Sequence, residues 1–524
     1  MSILPTEKYS PQCGCCTSRV CPGRTQGITR RGFMAGMGSA AAGTMALSAF
    51  GAAASAQEVQ RIDPIRVPLV VQPVFTYGIA TRQEGTSWRG WGGIHTEQDA
   101  AAERDRITRE LDEMKQNADF PVEIRPVAMV RNNAEAANVV KGDHDVLIMY
   151  ASGGGMLETL TDPKKWTIIF LRHKSGPVYL WYEIIHNRFL RKTVDEYGQE
   201  GVNNQDVVVD RHDEVLWRLR ALAGLKNTLG KKILCVGGAS GWGDGGQKAP
   251  QLSKDIFKMD LVDISYDELG KRIARFNQNA SLVKKSQADA KKFLSQDGIT
   301  LETAEDFVAK CFLLTEVFHE LMAEHKTDAL TINACMGTIM QVSKTTACMP
   351  LNFLNDDGYM AFCESDFVVI PSGILLHYIS GKPQFFNDPT YPHDNVVTLA
   401  HCTAPRKMDG KNYEPVEIHT HFESDYGAAP KVEMKIGQVC TNLVPDFECR
   451  EWVGFEGKIV GNPFLDICRS QIEMQILGDR AALLQQMKGF HWMMSYGNFL
   501  RETGYALNKV GVRLLDVSRK EGKA

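Results

Sequence analysis

The sequence predicts an α/β protein with two Rossmann-like domains followed by a β-rich, barrel-like C-terminal domain with closing helices. Early in the chain, apolar runs of strand length alternate with segments of helical periodicity, which is typical of a parallel sheet. A second alternating series follows, and beyond about residue 345 short strand-like runs are separated by Gly, Pro and Asp. The predicted domains are therefore 57–165, 166–345 and 346–524, preceded by a segment at 1–56.

In the first predicted domain, the apolar run Arg66–Phe75 has the pattern of a buried strand, and Glu97–Lys115 has helical spacing. Strands are predicted at Val122–Val130 and Asp145–Tyr150, with a helix at Asn133–Val140 between them. This β-α-β-α-β order indicates a parallel, Rossmann-like sheet.

The second predicted domain begins near residue 166 with the strand candidates Thr167–Leu171 and Val178–Trp181. Further helices and strands alternate after them: Asp213–Thr228, Lys232–Val236, Phe257–Asp263, Thr303–His325 and Ala329–Ala334. A glycine-rich turn at 237–246 follows one of these strands, but it lacks the spacing of a phosphate-binding loop. A structural turn is the favoured interpretation.

The third predicted domain contains short runs that indicate an antiparallel barrel or sandwich. The predicted strands are Val396–His401, Val416–His421, Val432–Ile436, Gln438–Leu443 and Arg450–Val460. Two helices, Ala481–Met487 and Tyr496–Val510, are predicted to close the chain.

Residues 1–56 have the features of an export signal. Arg30 and Arg31 are followed by Phe33 and a stretch of small and apolar residues that ends in an A-x-A pattern at Ala54–Ala56. We predict a twin-arginine signal peptide, cleavage after Ala56, a periplasmic location and no stable membrane insertion after cleavage. Four cysteines upstream could bind a metal, but they would be removed with the signal: Cys13, Cys15, Cys16 and Cys21.

The composition limits the kinds of binding partner that we expect for this protein. Lys plus Arg number 59 and Asp plus Glu number 63, which gives a net charge of −4. Binding to nucleic acid would need a basic face, so no nucleic-acid partner is predicted. The predicted mature chain keeps nine cysteines without a CxxC motif, mostly in apolar runs that are typical of buried free thiols.

Two carboxylates, Glu364 and Asp366, lie between apolar runs and form the clearest candidate site. An extended backbone would place both on one side at the end of a strand. Carboxylates among apolar residues are costly unless paired or metal-bound, and oxygen ligands suit Mg²⁺ or Mn²⁺. A solvated turn or a helix N-terminus is an equally good interpretation from the local sequence.

Several histidines are further candidates. His401 ends an apolar strand, and His491 lies between a helix and an apolar stretch, where an imidazole is either a core group or a metal ligand. His421 and Glu423 belong to a segment of period-two polarity. The solvated side of an antiparallel sheet is the favoured interpretation of that segment, and a metal-binding face is the alternative.

The loop Ser87–Gly93 carries Trp88, Arg89 and Trp91 among glycines. Tryptophan rings can stack on the apolar face of a sugar while an arginine binds its hydroxyls. Packing of the same loop into the protein body is an equally good interpretation.

Taken together, five segments resemble the L-fucose/L-arabinose isomerase superfamily, especially its fucose-isomerase-like branch. They are Ser87–Gly93, Cys363–Asp366, His401–Pro405, His421–Ser424 and Gly489–Trp492 with Tyr496 and Gly497 after it. The resemblance implies aldose–ketose interconversion through an ene-diol with bound Mn²⁺ or another divalent cation such as Mg²⁺.

The resemblance also assigns roles to residues. By position, Asp366 would be one catalytic, metal-binding carboxylate and His491 the imidazole ligand, and Glu364 is the candidate for the second catalytic, metal-binding carboxylate. The sugar would contact Trp88, Arg89, Trp91, His401, His421 and Glu423. It implies a homo-oligomer as well, in which Trp88 and Arg89 complete the site of another subunit.

One position departs from the family pattern. The second family carboxylate is expected between Thr331 and Cys363, where this chain has no Glu and Cys348 falls near the expected position. Either Glu364 takes that role or the classical chemistry is lost. A non-catalytic carbohydrate-binding protein that keeps the isomerase fold is therefore the alternative function.

Overall fold

The structure is a computed structural model that describes residues 59–153, 156–179 and 199–518. The predicted signal peptide, with its four cysteines and its cleavage site, lies outside the described residues, as does the end of the strand predicted at Val178–Trp181. Within these ranges, no helix is both long enough and apolar enough to cross a bilayer.

The first sheet is parallel, which confirms the predicted Rossmann-like arrangement. Its central order is β2-β1-β4-β5-β6, and β3 also pairs with β1. The strands are β1 (Leu69–Thr76), β2 (Val122–Ile124), β3 (Ala128–Val130), β4 (Val146–Ala151), β5 (Trp166–Leu171) and β6 (Val207–Val209). The helices that accompany it are Glu97–Gln116, Asn133–Val140, Leu157–Leu160 and His212–Thr228.

Two features of this sheet differ from the sequence prediction. The strand predicted at Val122–Val130 is divided into β2 and β3, with Pro126 between them, because proline has no N–H to donate to a neighbouring strand. Strand β5 pairs with β4 in the first sheet, so the boundary predicted after residue 165 separates two strands that are hydrogen-bonded to each other.

The second sheet is also parallel, with the order β11-β10-β7-β8. The strands of this region are β7 (Lys232–Val236), β8 (Asp260–Ile264), β9 (Ile299–Leu301), β10 (Ala329–Ile332) and β11 (Met360–Cys363), of which β9 pairs elsewhere. Its helices are Ala249–Phe257, Tyr266–Gln278, Ala280–Leu294, Glu305–His325, Thr338–Ser343 and Cys348–Asp356.

The C-terminal region contains a closed six-stranded antiparallel barrel, which confirms the predicted β-rich architecture. The barrel order is β16-β19-β12-β13-β18-β17, and pairing of β17 with β16 closes it. The strands from here to the C-terminus are β12 (Phe385–Pro389), β13 (Val396–His401), β14 (Val416–His421), β15 (Tyr426–Val432), β16 (Val439–Val444), β17 (Glu451–Gly461), β18 (Ser470–Leu477), β19 (Trp492–Tyr496) and β20 (Arg513–Asp516). The helices are Ile370–Ser380, Arg480–Gln486 and Leu500–Asn508.

The helix predicted at Tyr496–Val510 is wrong at its start. Tyr496 ends β19, and the helix begins only at Leu500. Gly497 has a φ of 108°, a conformation that other residues rarely adopt, and it separates the strand from the helix.

The helix Ile370–Ser380 joins the second sheet to the barrel and is buried along its whole length. It packs against the helix His212–Thr228 so closely that a Cβ atom on Gly224 would collide with Ile379. The helix Ile370–Ser380 also contacts both β11 and the barrel strand β19, so the carboxyl end of β11 lies beside the barrel. Ligand sites of open α/β sheets lie at the carboxyl ends of the strands, and this is where the candidate site is found.

Candidate metal centre

The centre of the candidate site is His491, which is fully buried and has three carboxylates around its ring. Its Nδ1 lies 2.7 Å from Asp366 Oδ2. Its Nε2 lies 3.2 Å from both Glu364 Oε2 and Asp388 Oδ1. The structure therefore brings together the three predicted metal ligands, and it adds Asp388, which the sequence analysis missed.

Asp366 is held rigidly by its neighbours. Its Oδ1 accepts hydrogen bonds from the backbone N–H groups of Trp242, at 3.1 Å, and Val368, at 3.0 Å. Because Oδ2 faces His491, both carboxylate oxygens are engaged. The Trp242 N–H belongs to the glycine-rich turn at 237–246, so this turn has the structural role that the sequence favours.

The backbone around Glu364 is not extended, and the predicted extended geometry is wrong. Strand β11 ends at Cys363, and Glu364 and Ser365 follow with φ values of 61° and 49°. Consecutive left-handed residues other than glycine are uncommon and tend to occur at functional sites. The consequence is that Glu364 and Asp366 reach opposite edges of the His491 ring.

The barrel supplies the other side of the site. Asp388 in β12 pairs with Ala400 in β13, which places His401 next along that strand. The Nδ1 of His401 lies 3.1 Å from Thr403 Oγ1, and its Nε2 lies 3.6 Å from Glu364 Oε1. His401 was predicted to contact the sugar, whereas here it lies beside the candidate metal ligands.

Aromatic side chains pack around the imidazoles of His401 and His491. The ring of Phe386 packs 4.5 Å from His491 and 4.9 Å from His401, between ring centroids. On the other side, Trp242 stacks on Phe490 with 3.9 Å between their centroids. These contacts fix the rings and lower the local dielectric, which strengthens every charge interaction at the site.

The pKa values follow from this arrangement. Burial alone would raise the pKa of Glu364, but His491 and then His401 outweigh it and hold that pKa well below its usual range. Burial alone would lower the pKa of His491, but Asp388, Glu364 and Asp366 raise it well above its ordinary value. Burial and the nearby Glu364 and Glu423 charges raise the pKa of Asp388.

Even with His491 protonated, the three carboxylates leave the site with excess negative charge; Asp366 is buried, and Glu364 and Asp388 are partly buried. Glu364, Asp366 and Asp388 face one another across His491, and within the described ranges no Lys or Arg lies within 4.0 Å of them. Buried carboxylates of this kind are expensive unless a cation compensates them.

Unsatisfied atoms show where a cation fits. The Nε2 atoms of His491 and His401 and the Oδ1 atom of Asp388 are buried without a hydrogen-bond partner. Single ligand atoms from Glu364, His401 and His491 lie within 4.8 Å of one another. Two imidazoles and two carboxylates are a donor set that suits a divalent cation such as Mn²⁺, so the residues present fit the predicted metal.

The remaining predicted residues lie elsewhere. His421 is only 4% exposed, so the solvated-side interpretation is wrong for it. Its strand ends at His421, and Glu423 lies in the turn that follows. Both line a separate cavity together with Glu364.

The tryptophan loop belongs to the first-sheet region. Arg89 stacks over the ring of Trp88 at 5.2 Å, and Trp91 is 73% exposed. Nearby, Gly92 and Gly93 approach Val178 and Pro177. The sugar-binding role of the three residues stays a prediction.

The cavity beside Glu364 contains a cluster of thiols that sequence analysis missed. Five of the nine described cysteines line it: Cys335, Cys348, Cys363, Cys402 and Cys468. These residues lie far apart in the sequence, so no spacing motif could reveal them. All nine described cysteines are free.

Comparison with known proteins adds no assignment: no protein-family model matches the chain, and no curated protein matches it at a significant level. The resemblance to sugar isomerases therefore stays a prediction.

Proposed function

We propose that this protein is an exported, metal-dependent isomerase that interconverts an aldose and a ketose through an ene-diol. The observation that supports the proposal most strongly is that ligand atoms of Glu364, His401 and His491 lie within 4.8 Å of one another, with Asp388 Oδ1 3.2 Å from His491 Nε2 and buried without a hydrogen-bond partner. These four residues would hold Mn²⁺ or a related divalent cation. When bound, such a cation polarises neighbouring sugar oxygens and acidifies the proton between them.

The carboxylates of the site would have different roles in the reaction. The sequence predicts a catalytic and metal-binding role for Asp366, but both its oxygens are engaged in three accepted hydrogen bonds, so we assign it instead to positioning the His491 ring and fixing which nitrogen faces the cation. Glu364 and Asp388 carry no comparable backbone hydrogen bonds in the described structure, and their side chains keep 15% and 18% exposure. They are therefore the carboxylates placed to accept and return a substrate proton.

The exposed Trp91 supports the implied homo-oligomer, in which the loop of one subunit covers the site of another. The sequence of residues 1–56 supports export by the twin-arginine route to the periplasm.

The test is conversion of sugars by the mature protein. The protein is stripped with a chelator, reloaded with Mn²⁺ and incubated with a panel of aldoses in D₂O, and products are followed by NMR. The proposal expects ketose formation with deuterium at the carbon next to the carbonyl, and loss of both in Glu364→Gln. Glu113→Gln, the same change at an exposed position, is the matched control.

The alternative, a carbohydrate-binding protein without catalysis, is favoured by the position of Cys348. The Cys348 thiol belongs to a cluster with Cys402 and His421, and this cluster does not include His491. Calorimetric binding of a sugar without any turnover or deuterium exchange would support this alternative and contradict the isomerase.

A further inference from the structure

A second cluster of potential ligands lies next to the carboxylate–imidazole site. Cys348 begins a helix, Cys402 follows β13, and His421 ends β14. Their ligand atoms lie within 4.8 Å of one another, and the three residues are 6%, 5% and 4% exposed. Three separate elements thus deliver two thiols and an imidazole to one buried point.

Cys468 is a potential fourth ligand. Cys468 precedes β18, is partly buried and lines the same cavity as Cys348, Cys402 and His421. Around a tetrahedral Zn²⁺ with bonds of about 2.3 Å to sulfur, neighbouring sulfurs are about 3.8 Å apart. The ligand atoms of Cys348, Cys402 and His421 all lie within 4.8 Å of one another, so a small contraction would bring them to such spacings.

The imidazole is oriented in the way that metal ligands usually are. Its Nδ1 lies 3.1 Å from Ser424 Oγ. A partner on one ring nitrogen fixes the ring and leaves Nε2 for the metal.

The shape of the cavity limits the occupant. The cavity measures about 10 Å³, which is close to the space that one water molecule needs. A sugar does not fit, whereas a single ion does. Thiolates and an imidazole select soft or borderline cations, and the oxygen-preferring Mn²⁺ belongs at the neighbouring site.

We propose that Cys348, Cys402, His421 and Cys468 form a second metal site that binds a thiophilic cation, with Zn²⁺ as the probe. The site is closed and has four protein ligands, so its role is structural: it ties the helix Cys348–Asp356 to the barrel strand β13 and to the hairpin of β14 and β15. On binding, the thiols lose their protons to solvent. The proposal does not depend on the isomerase activity.

The experiment measures metal in the mature protein, purified without chelator. We expect one Zn²⁺ per chain by elemental analysis and, after replacement by Co²⁺, the sulfur-to-cobalt absorption bands of a tetrahedral thiolate site. Cys402→Ala is expected to weaken Zn²⁺ binding by more than about 100-fold in competition with a coloured chelator, because even outer-shell changes cost about 10–100-fold. Cys440→Ala is the matched control, since Cys440 is a buried barrel thiol outside the cavity.

Two further measurements keep the result decisive. If Cys402→Ala does not fold, alkylation of the wild-type protein is mapped by mass spectrometry, and Zn²⁺ is expected to protect Cys348 and Cys402. His491→Ala should leave the sulfur-to-cobalt absorption bands unchanged, which separates failure of this site from failure of the isomerase proposal. Absence of bound or bindable Zn²⁺, equal binding by Cys402→Ala, or a Cys348–Cys402 disulfide would overturn the proposal.

Discussion

Replacement of Asp366 by Asn tests how the carboxylate–imidazole site is built. The change preserves the size of the side chain and its Oδ1 acceptor for the N–H groups of Trp242 and Val368. It removes the negative charge that faces His491 Nδ1 at 2.7 Å. Both side chains are almost fully buried, and a hydrogen bond to a charged group contributes about 1.5–3 kcal/mol.

At about 1.4 kcal/mol per factor of ten, this loss predicts metal binding that is about 10- to 100-fold weaker. The assay is titration of the chelator-stripped protein with Mn²⁺, followed by calorimetry or by the EPR signal of free Mn²⁺. Asp388→Asn, which removes a proposed direct ligand, should lose more affinity than Asp366→Asn. Unchanged Mn²⁺ affinity in Asp366→Asn would refute the positioning role.

Three other substitutions test the packing and electrostatics. The ring nitrogens of His319 are buried and unpartnered and its pKa is lowered to about 4, so the stability present above pH 6.5 is lost as the pH falls toward 4. In denaturant titrations at pH 7, His319→Phe should therefore be more stable than wild type by about 1 kcal/mol. At pH 5 this difference in the free energy of unfolding should be larger by about 2 kcal/mol, and a difference that does not grow contradicts the reasoning. Gly427→Ala would place Cβ 2.7 Å from Thr346 N at a φ of 71°, so urea unfolding should show a loss of about 2–5 kcal/mol, and a loss below about 1 kcal/mol contradicts the strain. Trp242→Ala removes the stacking on Phe490 and should lower the free energy of unfolding by about 1–3 kcal/mol in the same assay. Its effect on Mn²⁺ affinity should be much smaller than that of Asp366→Asn, because the N–H that holds Asp366 belongs to the backbone of Trp242.

Local patterns predicted the regular elements well where one periodicity dominated. The strands Lys232–Val236, Val396–His401 and Val416–His421 and the helix Asn133–Val140 have the predicted bounds. The strands that the sequence analysis missed, such as Phe385–Pro389, carry Asn, Asp and Pro within a short run and have no clear alternation. Barrel closure supplies their hydrogen-bond partners, and this long-range effect is not visible in a short window of sequence.

The candidate site was partly predictable from the sequence. Glu364, Asp366 and His491 came from the ordered motifs of the resemblance. Asp388 was missed because it lies in a stretch that looks like a loop, and only pairing of β12 with β13 and β19 brings it to the ring. The thiol cavity was missed because residues such as Cys348 and Cys468 are far apart in the chain and meet only in the fold.

The most direct measurement is anomalous X-ray diffraction at the manganese edge from crystals of the mature protein soaked in Mn²⁺. We predict one strong peak bounded by Glu364, Asp388, His401 and His491, with Asp366 on the far edge of the imidazole. If no peak is found there, or a peak is found only among the thiols, these carboxylates and imidazoles do not form a divalent-metal centre.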